Sequence, residues 1–348
     1  MKESIRKIES LKKELGSSLL IAAHHYVNDE IVAVADFVGD SYKLAVTCSN
    51  SSAKNIVFCG VTFMAEAAKA LSKKSQRVFQ PNKDAGCPLA DMITGEQFEN
   101  AFNIIRKKIN RTIIPVVYVN SNIDVKGFCG NNDGATCTSS NADRIIEYYL
   151  AMNYPVLFAP DFNLGSNTAK KIGLSDEEVM RIPVTGNIDF PSNIHDIKLF
   201  LWDGFCYVHK KFTLENIIHL KRNYSNMRVI VHPECNREVV DASDISGSTQ
   251  QIYNAIEKSE RKSTWGVGTE YHFVQRMNKT CKDTVIVPLM ESSCKDMQRN
   301  DLPNLYDLLL CIRNDDKSAL HQYEVHIDEK LSLGTERALQ KMIEIVEG

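Results

Sequence analysis

Short apolar runs alternate with amphipathic segments along nearly the whole chain. The runs are rich in Val and Ile and have the length of strands that are buried on both faces of a sheet. Between them, apolar residues recur at helical spacing, as in Phe63–Leu71 and Ile145–Met152, and an opening helical pattern ends at Gly16. This alternation predicts an α/β protein with parallel sheets. The predicted strands are Leu19–Ala23, Ile56–Cys59, Ile113–Val119, Val156–Ala159, Ile197–Trp202, Val229–Val231 and Val285–Leu289.

The chain also repeats itself on a larger scale. In each repeat, a strand ends in a polar residue, and a Ser or Thr follows at the start of a helical pattern. The three sets are His24 with Ser41, Tyr118-x-Asn120 with Ser139, and His232 with Thr249. We therefore expect three similar parallel-sheet α/β domains in a pseudo-threefold arrangement around a central active site. The expected boundaries are 1–111, 112–223 and 224–300, with C-terminal helices in 301–348 that pack back on the domains.

The repeated polar positions predict where this site lies. Functional groups in open parallel sheets lie at the carboxyl ends of the strands, and helix starts with hydroxyl side chains bind anions readily. Three converging units would line one cavity with two histidines, a Tyr-x-Asn pair, three hydroxyls and Glu234. Such a lining suits a small polyanionic substrate.

Composition excludes several other classes of protein. The 348 residues carry 41 basic and 44 acidic side chains, so a nucleic-acid-binding protein with a strong basic field is not expected. The longest apolar runs are far shorter than the ~20 residues that a spanning helix needs, so no membrane segment is expected. The N-terminal residues lack the apolar core of a signal peptide, and we expect a cytoplasmic location.

The ten cysteines then suggest metal chemistry rather than disulfides. No CxxC pair occurs, so any metal site must collect cysteines from distant segments. Cys87, Cys206 and Cys294 each follow the last strand of one unit, in an equivalent loop. Three such thiolates could hold three irons of a cubane cluster and leave a fourth iron open as a Lewis acid. Inert side chains are expected at Cys48, Cys59, Cys235, Cys281 and Cys311.

At this point the motifs resemble those of the quinolinate synthase family. The matching segments span nearly the whole chain in the family's order. They are IAAHHYVNDEIVAVADFVGDS, NIVFCGVTFMAEAAKAL, AGCPLADM, PVVYVNS, CTSSNA, GFCYVHKKFT, VIVHPEC, GSTQQI, GVGTE and the cysteine at 294.

The resemblance implies an enzyme of NAD biosynthesis that condenses iminoaspartate with dihydroxyacetone phosphate to quinolinate, with loss of phosphate and water. It also implies one 4Fe–4S cluster per chain, on Cys87, Cys206 and Cys294, and a functional link to an L-aspartate oxidase or dehydrogenase. The implied substrate contacts are His24, Ser41, Tyr118, Asn120, Ser139, His232, Glu234 and Thr249. The implied catalytic residues are Glu234 as carboxylate base, with Tyr26, His24 and His232; His209 follows the second cysteine as in the family.

Two alternatives stay open from the sequence. One is a paralogous iron–sulfur enzyme that performs a related condensation and dehydration on another substrate. The other is a non-catalytic iron–sulfur sensor, although neither an exposed effector surface nor a nucleic-acid-binding element is evident.

Two features differ from the family pattern. His25 stands where Tyr or Asn is common, and we expect it to face the other side of its strand. The segment Lys126–Cys137 is rich in Gly and Asn, and we expect a flexible surface loop. Alternatively, this segment could cover the cavity, with Cys129 and Cys137 as a redox pair.

Overall fold

Thirteen strands form three parallel sheets in the computed structural model, which describes residues 2–185 and 187–348. The strands are β1 Leu19–His24, β2 Phe37–Gly39, β3 Asn55–Cys59, β4 Arg77–Phe79, β5 Ile114–Tyr118, β6 Ala135–Cys137, β7 Val156–Ala159, β8 Val179–Ile182, β9 Leu199–Trp202, β10 Arg228–Val231, β11 Ile245–Ser246, β12 Thr264–Gly268 and β13 Val285–Pro288.

Fifteen α-helices connect and cover these strands in the described part of the chain. The helices are α1 Lys2–Leu15, α2 Asp29–Val32, α3 Ser41–Asn50, α4 Thr62–Ala70, α5 Gly95–Ile109, α6 Ile123–Asn131, α7 Ala142–Ala151, α8 Phe162–Lys171, α9 Leu214–Asn223, α10 Arg237–Asp241, α11 Thr249–Glu257, α12 Tyr271–Thr280, α13 Leu302–Arg313, α14 Lys317–Leu320 and α15 Glu329–Glu347.

The three sheets share a four-stranded core of one topology, and β8 is an additional edge strand of the second sheet. Their strand orders are β2-β1-β3-β4, β6-β5-β7-β9-β8 and β11-β10-β12-β13, so each begins on an inner strand, moves to one edge and then returns across the sheet. All strand pairs within them are parallel. The predicted fold class of three similar parallel-sheet α/β units is therefore confirmed. The exact domain boundaries stay a prediction.

The inner strands of the sheets coincide with the apolar runs in the sequence. The residues of β3, β5, β7 and β9 are all buried, which explains why these strands show runs rather than alternation. The edge strands β2 and β11 were not predicted, because they contain only three and two residues and are partly exposed. The first helix ends at Leu15, and Gly16 follows with φ +51°, as the sequence predicts.

The expectation of a flexible surface loop over Lys126–Cys137 is wrong. This segment forms the end of α6, a tight turn and strand β6, and Lys126, Cys129 and Cys137 are completely buried. Its glycines serve helix packing, because Gly130 faces Gly334 of α15 where an added Cβ would overlap the carbonyl oxygen of Gly334. Helix α15 thereby packs closely on α6 and also contacts β6, α4 and α7.

No helix among residues 2–185 and 187–348 combines the length and apolar character that crossing a membrane requires.

The close contact of α6 with α15 can be tested with Gly130→Ala. The added methyl group would also lie 2.8 Å from the backbone nitrogen of Ala338, so the two helices must move apart. We expect the free energy of unfolding to fall by about 1–3 kcal/mol, measured by denaturant titration. Gly86→Ala is the matched control, because its added Cβ meets no atom within 4 Å. Equal midpoints for Gly130→Ala and the unchanged chain would contradict this packing.

Candidate active site

A cavity lies beyond the carboxyl ends of β1, β5 and β10. All twelve residues that the sequence nominated line it, and they come from all three sheets. They are His24, Tyr26, Ser41, Cys87, Tyr118, Asn120, Ser139, Cys206, His232, Glu234, Thr249 and Cys294. His25 is not among the lining residues; its ring lies 3.2 Å from Gln250 in a separate groove.

His24 and His232 occupy equivalent positions and have the same tautomer. The Nδ1 atom of each accepts the backbone N–H of the second residue along the chain, Tyr26 at 3.2 Å and Glu234 at 3.3 Å. Burial lowers the pKa of His24 well below its usual value and lowers that of His232 to about 3. Because both rings are neutral and Nδ1 accepts, the ring proton is on Nε2. Both histidines can therefore donate a hydrogen bond to a ligand.

A continuous chain of buried hydrogen bonds crosses the cavity wall. Thr249 donates to the Tyr26 hydroxyl at 2.7 Å, and that hydroxyl lies 2.7 Å from Thr269 Oγ1. The Thr269 hydroxyl lies 3.1 Å from His209 Nε2, and His209 Nδ1 lies 2.6 Å from Glu234 Oε2. The chain ends at Glu234 Oε2, which accepts from His209 Nδ1. Such a chain can pass a proton between its ends.

Glu234 is 1% exposed, and one of its oxygens is free for a ligand. Burial alone would raise the pKa of this carboxyl group, but His232, His209 and the neighbouring Tyr118 hydroxyl outweigh burial and lower the pKa. Its Oε1 atom has no hydrogen-bond partner, and neither has Oδ1 of Asn120. Buried acceptors of this kind cost free energy when they stay unpaired. Both atoms are therefore expected to accept hydrogen bonds from a bound substrate.

The three predicted helix-start hydroxyls differ in their positions. Ser41 and Thr249 are the first residues of α3 and α11, which are capped by the side chains of Asp40 and Ser248. Ser139 lies two residues before Asn141, the N-cap of α7, rather than at the helix start. The Thr249 hydroxyl donates its hydrogen bond to Tyr26. The hydroxyls of Ser41 and Ser139 line the cavity and make no such bond in the described part of the chain.

The cavity offers hydrogen-bond donors rather than basic side chains to an anion. No Lys or Arg belongs to its lining among the described residues. The starts of α3 and α11 and the segment before α7 supply backbone N–H groups and the positive ends of helix dipoles. Together with the Nε2–H groups of the two histidines, they can bind carboxylate or phosphate oxygens.

The three nominated cysteines lie in loops with the same backbone geometry. The carbonyl two residues before each cysteine accepts the N–H of the residue that begins a helix. The carbonyl of each cysteine accepts an N–H from four residues further on. The first set is Ala85 with Thr62, Gly204 with Phe162, and Ser292 with Tyr271; the second is Cys87 with Asp91, Cys206 with Lys210, and Cys294 with Gln298.

The environment of these thiols fits an iron–sulfur cluster. Burial raises the pKa of Cys87 to about 12 and of Cys294 to about 11, and it raises that of Cys206 well above its usual value. In each loop, a backbone N–H three residues beyond the cysteine opposes this shift. Thiolates here need a cation, and N–H groups near sulfur are typical of cluster sites. All ten cysteines are free thiols.

A single-ion site is a weaker alternative. Donor atoms of Cys206, His209 and Glu234 lie within 4.8 Å of one another. However, both ring nitrogens of His209 already make hydrogen bonds, to Glu234 and Thr269. Binding an ion at His209 would break this chain. Cluster thiolates, in contrast, bind different irons and do not need to share one coordination sphere.

Cys129 and Cys137 lie away from the cavity lining. Both are completely buried, and burial raises the pKa of both thiols. The Cys129 thiol donates to the carbonyls of Pro115 and Ala135. These properties are typical of structural cysteines, and they argue against the alternative of an accessible redox pair.

Lys126 supports the cavity wall. It lies in the segment Lys126–Cys137, which the sequence predicted wrongly to be a surface loop. Its ammonium group donates to the carbonyls of Val119, at 3.1 Å, and Ser121. These carbonyls flank Asn120, so the buried lysine fixes the backbone that carries this side chain. The ammonium also lies 5.4 Å from the ring centre of Phe63, another cavity residue.

The sequence analysis did not nominate His209 and Thr269 as site residues, although both complete the hydrogen-bond chain. His209 follows Cys206 by three positions, where the other two loops have Ala90 and Met297. Thr269 comes directly after β12, at a strand end like His24. A systematic search of positions at strand ends would have found Thr269.

Fold and cavity together define an α/β protein whose three units line one buried site with histidines, hydroxyls, a carboxylate and three thiols. The family model described as quinolinate synthetase A protein matches residues 6–344. Quinolinate synthase of Listeria monocytogenes is 40% identical over 99% of this chain and 94% of its own, and that of Bacillus cereus strain ATCC 14579 is 40% identical over 98% and 93%. The chain belongs to the quinolinate synthase family.

A Plasmodium falciparum E-1-hydroxy-2-methyl-but-2-enyl-4-diphosphate reductase aligns over 90% of this chain and 94% of its own, with 14% identity and a TM-score of 0.31. This likeness is too weak to indicate a shared fold.

The tautomers of His24 and His232 can be checked by NMR of the iron-free chain with nitrogen-labelled histidine. We expect both rings to stay neutral with the proton on Nε2 between about pH 8 and pH 5, whereas an unfolded chain titrates near 6.5. Because the unfolded chain takes up these protons first, stability should decline as the pH falls below about 6.5. His272, whose pKa Glu270 raises, is the internal control. Protonated His24 and His232 at pH 6 would contradict the assignment.

Proposed function

We propose that this protein condenses iminoaspartate with dihydroxyacetone phosphate to form quinolinate, with loss of one phosphate and two waters. A 4Fe–4S cluster on Cys87, Cys206 and Cys294 is part of this proposal. An enzyme that oxidises aspartate must supply the imine. The free thiols favour a reducing, cytoplasmic compartment.

The observation that carries the proposal is the convergence of three equivalent cysteine loops on one cavity. A structural role for these cysteines would not require that all three reach the same polar pocket. Membership of the quinolinate synthase family supports the same chemistry.

Substrate binding follows from the donors in the cavity. Both substrates are anions, one a dicarboxylate and the other a phosphate ester. The hydroxyls of Ser41 and Ser139 and the N–H groups at the nearby helix starts can hold their oxygens. His24 and His232 donate from Nε2, which suits a carboxylate or a ketone oxygen. Burial of the site strengthens these hydrogen bonds because water is excluded.

Proton transfer is assigned to Glu234 and its hydrogen-bond chain. Isomerising the ketose phosphate moves a proton between adjacent carbons, and ring closure requires further proton transfers. Glu234 Oε1 is the unpaired acceptor that can take such a proton. The chain through His209 and Thr269 connects Glu234 to Tyr26, so a proton accepted at one side can be returned at the other. Burial raises the pKa of Tyr26, which keeps its hydroxyl a proton donor.

Cys87, Cys206 and Cys294 would hold the cluster, and an iron without a protein ligand would supply Lewis-acid chemistry that makes a hydroxyl a better leaving group. The residues of the chain provide its cavity and the groups that orient the substrates beside it.

An anaerobic assay tests the proposal directly. Iron-loaded protein is mixed with dihydroxyacetone phosphate and with iminoaspartate generated in place from aspartate, and quinolinate is measured. Quinolinate formation supports the proposal. An iron-loaded protein that forms none would instead favour a paralogue with another substrate or a sensor.

The cluster ligands are tested by single substitutions. We expect Cys87→Ala, Cys206→Ala and Cys294→Ala each to lose the cluster and activity, because three thiolates are the minimum that holds it. Cys59→Ala is the control, since Cys59 is a buried thiol in β3 away from the cavity. Iron and sulfide per chain are measured after anaerobic reconstitution. Full iron content in any of the first three variants would overturn the assignment of that cysteine.

The hydrogen-bond chain is tested at Thr269. Thr269→Val keeps the shape of the side chain but removes the hydroxyl that joins Tyr26 to His209. We expect turnover to fall roughly 100-fold, the lower end for a general acid–base group, with iron content unchanged. Thr269→Ser restores the hydroxyl and should recover most of the activity. Equal turnover for the Val and Ser variants would show that the chain is not needed.

A further inference from the structure

We propose that Asp161 and Glu270 are positioning residues that hold the loops of Cys206 and Cys294, and that the loop of Cys87 has no such carboxylate. This inference rests on the proposed function, because it concerns how the chain retains the proposed cluster. Both side chains are completely buried and neither is part of the cavity lining.

Asp161 connects a helix start to a cysteine loop. It follows β7 and is the N-cap of α8, where its Oδ1 accepts the backbone N–H of Leu164 at 2.7 Å. Its other oxygen, Oδ2, accepts the backbone N–H of Cys206 at 3.0 Å, 45 residues further along the chain. One carboxylate therefore fixes Cys206 relative to the central strand of its sheet.

Glu270 makes the same connection in the third unit. It follows β12 and is the N-cap of α12, where its Oε2 accepts the N–H of Phe273 at 3.1 Å. Its Oε1 accepts the N–H of Cys294 at 3.3 Å and lies 2.9 Å from His272. The two carboxylates thus occupy equivalent places, although one is Asp and the other Glu.

The first unit lacks this second connection. Its N-cap position before α4 is Val61, whose side chain makes no hydrogen bond. The Cys87 loop is tied to the strand end by neutral groups instead. The N–H and the hydroxyl of Thr62 donate to the Ala85 carbonyl, and the Gln80 amide donates to the carbonyls of Gly60 and Ala85. The other two loops have the backbone bond and a carboxylate.

Helix capping alone does not explain the two carboxylates. A neutral side chain caps α11, where Ser248 accepts the N–H of Gln251. A completely buried carboxylate is costly unless several donors satisfy it. In both residues the second carboxylate oxygen accepts the backbone N–H of a cysteine, which supplies one of these donors. A Ser side chain at the same position would be too short to reach that N–H. Hydrogen bonds that orient the residues of a metal site commonly control how tightly the site holds its metal.

The test uses Asp161→Ser and Glu270→Ser, which keep a capping hydroxyl but lose the contact with the cysteine loop. Iron-loaded full-length protein is exposed to a chelator, and the rate of iron release is measured. Losing this hydrogen bond should accelerate release roughly 2- to 10-fold. Asp301→Ser is the matched control, because Asp301 caps α13 at Asn304 and touches no cysteine loop. Release at the unchanged rate in both Asp161→Ser and Glu270→Ser would overturn the proposal.

Hydrogen exchange provides a readout that does not depend on iron. In the iron-free full-length chain, the backbone N–H of Cys206 should exchange faster in Asp161→Ser, and that of Cys294 in Glu270→Ser, while melting temperatures match that of Asp301→Ser. Should the Ser variants not fold, Asp161→Asn and Glu270→Gln are measured in the same way. Unchanged exchange at both cysteines would overturn the proposal. Failure of the proposed function looks different, since the unsubstituted protein would then hold no cluster or form no quinolinate.

Discussion

The arrangement of this molecule depends on a constraint of parallel sheets: all strands of a sheet end at the same edge. Three sheets with one topology bring that edge to a common cavity, and each contributes a strand-end polar group, a helix start and a cysteine loop. In each unit, the N–H of the residue that begins a helix donates to the carbonyl two residues before the cysteine. This repeated hydrogen bond holds the cysteine loop at the start of that helix. A site of twelve side chains from distant segments can therefore form without any local sequence motif that contains all of them.

Support for the cavity extends outward through the second unit to the C-terminal helix. Lys126 holds the carbonyls on both sides of Asn120, and the helix that carries this lysine packs through Gly127 and Gly130 on α15. Helix α15 also reaches α4, which contributes Phe63 and Met64 to the cavity. Helix α15 therefore supports the wall of the cavity, although it supplies no described residue to the cavity lining.

Sequence patterns predicted those features that depend on local periodicity or on the internal repeat. The inner strands, the helix starts at Ser41 and Thr249 and the three cysteine loops belong to this group. The segment from Lys126 to Cys137 was predicted wrongly because Gly and Asn usually indicate a loop, whereas here the glycines allow two helices to approach. The roles of Thr269 and Asp161 were not predicted, because each depends on a partner far away in the chain, and spacing within one segment carries no signal for such contacts.

In the proposed function, one ligand and one cluster meet residues of all three units in a single cavity. A crystal structure of the anaerobically prepared, iron-loaded protein with bound quinolinate would test this arrangement. We expect a cluster on Cys87, Cys206 and Cys294, with quinolinate beside it in contact with residues at the ends of β1, β5 and β10. Quinolinate bound outside this cavity, or a cluster on other cysteines, would refute the arrangement.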